Sequence, residues 1–280
     1  MAGGQFSVLN NLPSLDAQRN LYSSNIGLNK TLGRLSSGRR IVDAGDDAAG
    51  LAIANSLKAD ATALQQAVRN ANDGIALIQI ADGALSKISD LLTRGVTLAE
   101  QSASGTVGDN ERGTINTEYQ QILQEIDRVV EVANFKGEAL FNTTGAVTKA
   151  IYVGDTQIQS FITVSIAGSR GAGTAALGME ESSVATSEES LTALDQLKTA
   201  ISSVSRWRGA LGAQQNRLTN SVGIIQVQAQ NLMAAESAIM DANMAEEIVN
   251  MTKFQILLQS GMSSLSQANA SSQLVLSLLR

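Results

Sequence analysis

Four pairs of adjacent acids, Asp46-Asp47, Glu180-Glu181, Glu188-Glu189 and Glu246-Glu247, are of a type suited to proton transfer or two-carboxylate hydrolysis. Their spacing is not suited to it. Neighbouring positions on a helix point apart, so capping and solvation account better for such pairs. Arg39-Arg40 and Arg206-Trp207-Arg208 have the composition of a nucleic-acid patch, but they are isolated in an acidic chain. Salt bridges to nearby carboxylates are the expectation there. Gly171, Gly173 and Gly178 have the glycine content of a phosphate loop, yet no lysine follows where one is required, and a flexible linker fits better. Met240, Met244, Met251 and Met262 have the adaptability of a binding face; at helical spacing they read as packing. The chain has no His and no Cys, which removes disulfides, thiolate nucleophiles, His–metal sites and His-based triads. Nothing here points to an enzyme, a metal or a cofactor.

The elements that carry these residues are long and helical. The 280 residues suffice for one or two domains with sizeable cores. The net charge of −6 argues against general nucleic-acid or anionic-membrane binding. Aromatics are few and small residues plentiful, with Pro13 the only proline, a composition that suits long, closely packed helices. No segment has the unbroken apolar length of a membrane span. Met1 to Asn20 lacks a basic start followed by an apolar core, so an ordinary secretory signal is not expected.

Met244 to Leu279 is the most informative stretch. Met244, Ile248, Met251, Gln255, Leu258, Met262, Leu265, Asn269, Ser272, Leu276 and Leu279 keep a 3–4 spacing and predict one seam with a period near 3.5. The rest of that helix is odd, since Phe254 to Leu279 carries no charge at all. A lone surface helix normally keeps Lys and Glu on its wet side. Met1 to Leu15 is also uncharged, so both ends are expected to sit inside an assembly.

Between these ends, a helix is expected from about Pro13 to Leu35, with Leu15, Tyr22, Leu28, Leu32 and Leu35 near one face. Asp46 or Asp47 caps the next helix, which runs to about residue 103 and would be on the order of 85 Å long. Asp109 or Asn110 caps a shorter helix whose seam is Ile115, Tyr119, Ile122, Ile126, Val129 and Ala133. Ala150 to Val153 and Phe161 to Ile166 read as strands of a hairpin around Gly154-Asp155-Thr156. Ala167 to Ala185 reads as loop, and Ser182, Ser183, Thr186 and Ser187, at and just past its end, are candidate O-glycan acceptors. Helix resumes near Glu188, and the five-residue step from Ile239 to Met244 reads as a stutter. The fold class is mainly α: a long antiparallel helical coiled-coil or bundle rod with a small β-hairpin patch in the middle of the chain.

The residues resemble a known family. Ser14-Leu15-Asp16-Ala17-Gln18-Arg19-Asn20-Leu21, Leu35-Ser36-Ser37-Gly38-Arg39-Arg40-Ile41 and Asp46-Asp47-Ala48-Ala49-Gly50-Leu51-Ala52-Ile53 are similar to bacterial flagellin signatures. So are Asn72-Asp73-Gly74-Ile75, Glu125-Ile126-Asp127-Arg128-Val129, Leu211-Gly212-Ala213-Gln214-Gln215-Asn216-Arg217-Leu218 and Asp241-Ala242-Asn243-Met244-Ala245-Glu246-Glu247. Asn134-Phe135-Lys136-Gly137 departs from the family's FNG, and Ala238-Ile239-Met240-Asp241 from its SRIRD.

The resemblance implies a filament subunit. Residues 1–42 and 240–280 would form an inner-tube coiled-coil domain, and 43–143 and 188–239 a helical rod domain. Residues 144–187 would be a short hairpin and loop with no large outer domain. It implies a subunit-packing seam of Leu15, Leu28, Leu32, Leu35, Met244, Ile248, Met251, Leu258, Met262, Leu265, Leu276 and Leu279. Arg94, Leu98 and Glu118 match positions that family members present to an animal innate immune receptor, and Leu276, Leu278 and Leu279 match leucines sensed by a cytosolic one. Further implied partners are other copies of the chain, a flagellar export chaperone, the cap protein and hook–filament junction proteins. Nucleic acid and membrane insertion are not implied. The implied location is the extracellular flagellar filament, reached by type III export in an unfolded state. A junction protein or a type III tip protein reuses similar paired termini and stays open as an alternative. The ends are expected to be mobile in the monomer and ordered in the polymer.

Overall fold

The computed structural model describes residues 11–141, 147–154, 160–166 and 172–278, with only the backbone for 272–278. Five long helices dominate: α1 (Leu12–Ser37), α2 (Ala48–Ala103), α3 (Asp109–Val132), α5 (Ser187–Met240) and α6 (Met244–Leu278). A single short turn, α4 (Thr174–Leu177), and two small antiparallel hairpins complete it. The chain divides into two compact units. Unit 1 lies within Met1–Lys58 and Leu232–Arg280, and unit 2 is Ala59–Asn231. α2 and α5 contribute residues to both.

Local chemistry sets the helix ends. The Asn11 side chain accepts the Ser14 N–H, so α1 starts one residue before Pro13 and keeps the proline in the first turn, where no N–H is needed. Gly38, at φ 69°, ends α1 in the left-handed conformation that glycine adopts freely. Asp47 caps α2 by accepting the Gly50 N–H at 2.8 Å. The cap of α3 differs from expectation. Gly108 is the N-cap, and the Glu111 carboxylate reaches back to its N–H at 2.7 Å.

Two further corrections concern continuity. The five-residue step at Ile239–Met244 is a break between α5 and α6, not a stutter in one helix. The turn after α1 pairs with it: Arg40 N–H donates to the Met240 carbonyl and Ala242 N–H to that of Gly38. Asn134–Phe135 and Glu138–Ala139 form a small hairpin, β1–β2, that periodicity cannot detect. Lys136 (φ 53°) and Gly137 (φ 83°) both take positive φ, as a two-residue hairpin turn with the twist of its strands requires.

The expected hairpin is present as β3 (Val147–Tyr152) with β4 (Phe161–Ile166), Ile151 opposite Ile162. Asp155 and Thr156 of its expected turn, and Gly171 of the glycine run, lie outside the described residues.

The core of unit 2 is built from α2, α3, α5 and β4. Ile78, Leu85, Ile88, Leu92, Tyr119, Ile126, Leu211 and Leu218 are almost fully buried. Gly74 lets the hairpin approach α2, since a Cβ there would lie 2.1 Å from Ile151 Cδ1. Arg208 on α5 donates through Nε to Asp82 on α2 at 2.8 Å, so this basic residue is structural, as expected. Lys149 pairs with Glu138 and thereby holds that carboxyl below its ordinary pKa. The expected acceptors of O-glycans are occupied: Ser182 is buried against Tyr119, Ser183 bonds Glu189, Thr186 caps α5 and Ser187 bonds the Ala103 carbonyl. Gly173 offers no phosphate cradle, because the Asp127 carboxylate bonds the Thr174 N–H beside it.

Candidate interaction surface

Unit 1 is an antiparallel pair of α1 and α6 with an unusual seam. Half-buried positions on α6 recur at Met251, Phe254, Leu258, Gly261, Leu265 and Ala268, a regular heptad rhythm that begins at buried Glu247. On α1 the facing positions include Ser14, Leu21, Leu28, Thr31 and Leu35. Two glycines act as holes. A Cβ on Gly27 would lie 2.5 Å from Phe254 Cζ, and one on Gly261 would lie 2.8 Å from Leu21 Cδ2. Each helix thus sets one large side chain into a gap on the other, and the two backbones approach closely. Polar bonds fix the register at one end, where Asn11 Nδ2 donates to the Ala268 carbonyl at 3.1 Å and Ser14 Oγ donates to Asn269 Oδ1.

The other end carries an ion cluster. Arg34 Nη1 lies 3.4 Å from Glu247 Oε1, and Lys30 Nζ lies 3.1 Å from Asp46 Oδ1 in the α1–α2 loop. The second oxygen of Glu247 is buried without a partner. Such a pair adds little net stability, but it specifies register, since sliding α6 by one residue would bury Glu247 unpaired. The Lys30 hydrogen bond and the backbone N–H groups of Asp43 and Val42 hold the Asp46 carboxyl below its usual pKa. A carboxylate depressed in the folded state contributes stability that is present above its unfolded pKa and is lost as pH falls through the folded one. Asp46→Asn is therefore expected to flatten the acid limb of unit 1 unfolding below about pH 4, read as far-UV circular dichroism against pH. An unchanged acid limb would show that Asp46 does not hold the loop.

The expected seam residues separate into two groups. Leu28, Leu35, Met251, Leu258 and Leu265 are half-buried on the stripes along which α1 and α6 meet. Leu15, Leu32, Met244, Ile248 and Met262 stand outside those stripes and are exposed, Met262 to 59%. Tyr22, also read onto the packed face of α1, is exposed too. The side chain of Leu276, and Leu279 altogether, lie outside the described residues. Phe254, Gly261, Gly27 and the Arg34–Glu247 pair were missed. Their signal was present as a heptad one position earlier than the one chosen, but a glutamate and a glycine score as interruptions in a hydrophobic count.

What remains among the described residues of unit 1 is an exposed apolar surface. Leu12, Tyr22, Ile26, Val249, Ile256 and Leu257 join the exposed seam residues, so apolar side chains stand all around α6. Isolated exposed apolar residues are ordinary; a contiguous set around a helix with no charge beyond Lys253 marks an interaction site.

In unit 2 the three receptor-like positions also separate. Arg94 Nε and Nη2 both donate to Glu118 Oε1, at 3.0 and 2.6 Å, at the surface. Leu98 is only 2% exposed and packs inside the unit. Among the described residues no group of three or more His, Cys, Asp or Glu is placed to hold a metal ion, and no helix is long and apolar enough to cross a membrane.

Residues 8–146 match the family model of the bacterial flagellin N-terminal helical region, and residues 194–279 that of the C-terminal helical region. The chain is 38% identical to the flagellar filament 33 kDa core protein of Treponema phagedenis, over 96% of this chain and 98% of that protein. It is also 38% identical to a flagellin of Halalkalibacterium halodurans, with the same shares of each chain covered. The crystal structure of Bacillus cereus flagellin aligns with TM-score 0.50 at 28% identity, covering 60% of this chain and 94% of that one. A putative flagellar hook-associated protein from Vibrio parahaemolyticus shares the fold with TM-score 0.58 at 14% identity, over 70% of this chain and all of that one.

Proposed function

The chain belongs to the bacterial flagellin family, and from that premise we propose that it is the structural subunit whose copies polymerise into the helical flagellar filament, the propeller of swimming. It performs no chemistry, and its work is self-association. The observation that carries this reading is the apolar surface of α6, uncharged beyond Lys253, with Ile256, Leu257 and Met262 exposed beside the α1 seam. Burying that surface against other copies removes apolar area from water at roughly 25 cal/mol per Å². Beyond Lys253 no ion must be desolvated when this happens.

The same reading assigns unit 1 to the inner tube and the helices of unit 2, with the β3–β4 hairpin, to the surrounding wall. It places the finished filament outside the cell. The export chaperone, the cap protein and the hook–filament junction proteins follow as partners. An animal innate receptor would meet the exposed Arg94–Glu118 pair and not the side chain of Leu98.

The test separates the outer face from the seam. Leu265 lies between α1 and α6, so a charge there would part the two helices themselves. Met262 lies outside that seam. Met262→Asp is expected to leave the circular dichroism of the monomer unchanged and to stop elongation on sheared filament seeds, because a charge would be buried without a partner at each contact. Electron microscopy of seeds incubated with the variant reads the result. Filaments of normal length would remove the outer face of α6 from the interface. Failure of the unaltered protein to elongate at all would favour a junction or tip protein.

A further inference from the structure

Unit 2 segregates its charge. α3 carries six acidic residues and two basic ones. Between Asp195 and Glu236, α5 carries four basic residues and no acidic one. Some of this is satisfied internally: Glu118 pairs with Arg94, Glu125 with Arg128, Lys198 with Asp195 and Arg208 with Asp82. Arg206 and Arg217 are exposed and have no ion pair among the described residues, and neither do Glu131 and Glu180.

Helix geometry puts the two arginines together. Eleven residues apart, they fall within about 20° of each other on α5 and about 16 Å apart along it. Ile224, 68% exposed, continues the same stripe seven residues further on, with exposed Val227 beside it. Arg206 lies on the side of α5 away from buried Val204 and Leu211, while Arg217 and Ile224 border a shallow groove with Leu64, Val153 and Ile162 of the same unit and remain exposed at its edge. Gly209 and Gly223 flank the stripe, and a Cβ on either would meet nothing within 4 Å. No internal neighbour accounts for glycine at positions where it weakens a helix.

The acids border a groove of about 410 Å³ between α3 and α4. Leu123, Val130 and Met179 line it, and Asp127, Glu131 and Glu180 rim it. The Asp127 carboxylate is already taken by Thr174, which leaves Glu131 and Glu180 as the acids available to a visitor.

We propose that the Arg206–Arg217–Ile224 stripe of α5 in one copy seats against the Glu131/Glu180 groove of the next copy. This rests on the filament reading above and names the two surfaces that meet. The faces are different, so the contact is heterologous: each copy that docks presents a fresh acceptor, and the assembly propagates as a ring or helix and does not stop at a dimer. Single exposed ion pairs are weak, so the charges serve to select the register and reject misaligned encounters, while the groove and Ile224 supply buried area.

The test is a charge exchange. All four residues are exposed and have no ion pair among the described residues, so Arg206→Glu with Arg217→Glu, and Glu131→Arg with Glu180→Arg, are each expected to leave the urea midpoint and circular dichroism of the monomer unchanged. On wild-type seeds, each double variant alone is expected to elongate at least tenfold more slowly than the unaltered protein. An equimolar mixture of the two is expected to recover most of the rate, because their reversed faces complement each other alternately. Wild-type elongation rates for either double variant would overturn the inference and leave the filament reading intact. Slow elongation that the mixture does not relieve would also overturn it, since the two faces would then matter without meeting. No elongation by the unaltered protein would instead overturn the filament reading itself.

Discussion

Gly27→Val is expected to part α1 from α6 and to slow filament elongation about a hundredfold. The hole at Gly27 is already full. Its missing Cβ position lies 2.5 Å from Phe254 Cζ and 2.6 Å from Cε1, closer than carbon atoms approach without bonding. Valine adds two methyl groups beyond that Cβ, so the aromatic ring must leave the seam or the helices must separate. Overpacking of this kind costs about 2–3 kcal/mol, since the pair has Asn11, Arg34 and Glu247 fixing its register at both ends and cannot slide to make room. That energy corresponds to roughly thirty- to hundred-and-fortyfold in the population of correctly paired ends. Unit 1 contains no tryptophan, since Trp207 lies in unit 2, so helix loss should appear in far-UV circular dichroism with Trp207 fluorescence unchanged. Adding Phe254→Ala to Gly27→Val should restore both helicity and elongation by emptying the contested space. If Gly27→Val elongates normally, the Gly27–Phe254 packing is not the arrangement used in the filament.

That glycine also shows why the sequence could be read for the fold and not for the seam. The long helices were legible because their apolar positions repeat over many turns and two of their ends fall at Gly38 and Asp47, whose chemistry stops or starts a helix. Register was not legible. α6 is apolar on nearly every side, so a hydrophobic count along it finds an acceptable heptad in more than one phase. Met251, Leu258 and Leu265 belong to both phases, and the choice between Ile248 with Met262 and Glu247 with Gly261 rests on what α1 presents. Leu21 needs a gap and Arg34 needs a carboxylate. Those are pairwise facts, invisible to a pattern taken one helix at a time. The same reasoning explains Leu98. Its match to a receptor-facing position carried no information about its side chain, which turns inward, whereas Arg94 and Glu118 meet outside. The β1–β2 hairpin was missed for a different reason. Strands of two residues have no periodicity, and the lysine at its positive-φ turn is a residue that rarely takes that conformation.

Tyr119→Ala should be the most damaging single truncation in unit 2, lowering its unfolding free energy by about 4 kcal/mol. Tyr119 is fully buried, its ring near Gly95 of α2 and its hydroxyl 2.8 Å from the buried Ser182 Oγ in the segment that precedes α5. It therefore ties three parts of the unit at one point, with Gln120 Nε2 bonding the Ser182 carbonyl alongside. The hydroxyl can be tested apart from the ring. Tyr119→Phe leaves the Ser182 hydroxyl buried without its partner and should cost about 1–2 kcal/mol, whereas Tyr119→Phe with Ser182→Ala removes both groups and should cost less than either change alone implies. Burial also pushes the Tyr119 phenol above its ordinary pKa of 10.0, partly offset by the Ser182 hydrogen bond. A group whose folded pKa is raised keeps its contribution below the unfolded value and loses it as pH climbs through the folded one. Unit 2 should accordingly lose stability above pH 10, and Tyr119→Phe should lose less over that range because its ring has no proton to release. Trp207 fluorescence in urea, at neutral pH and above pH 10, measures both quantities in one unit. Equal alkaline losses in the two proteins would mean that another group drives the transition, and a Tyr119→Ala effect under 1 kcal/mol would mean that the space refills and α3 is not anchored at this residue.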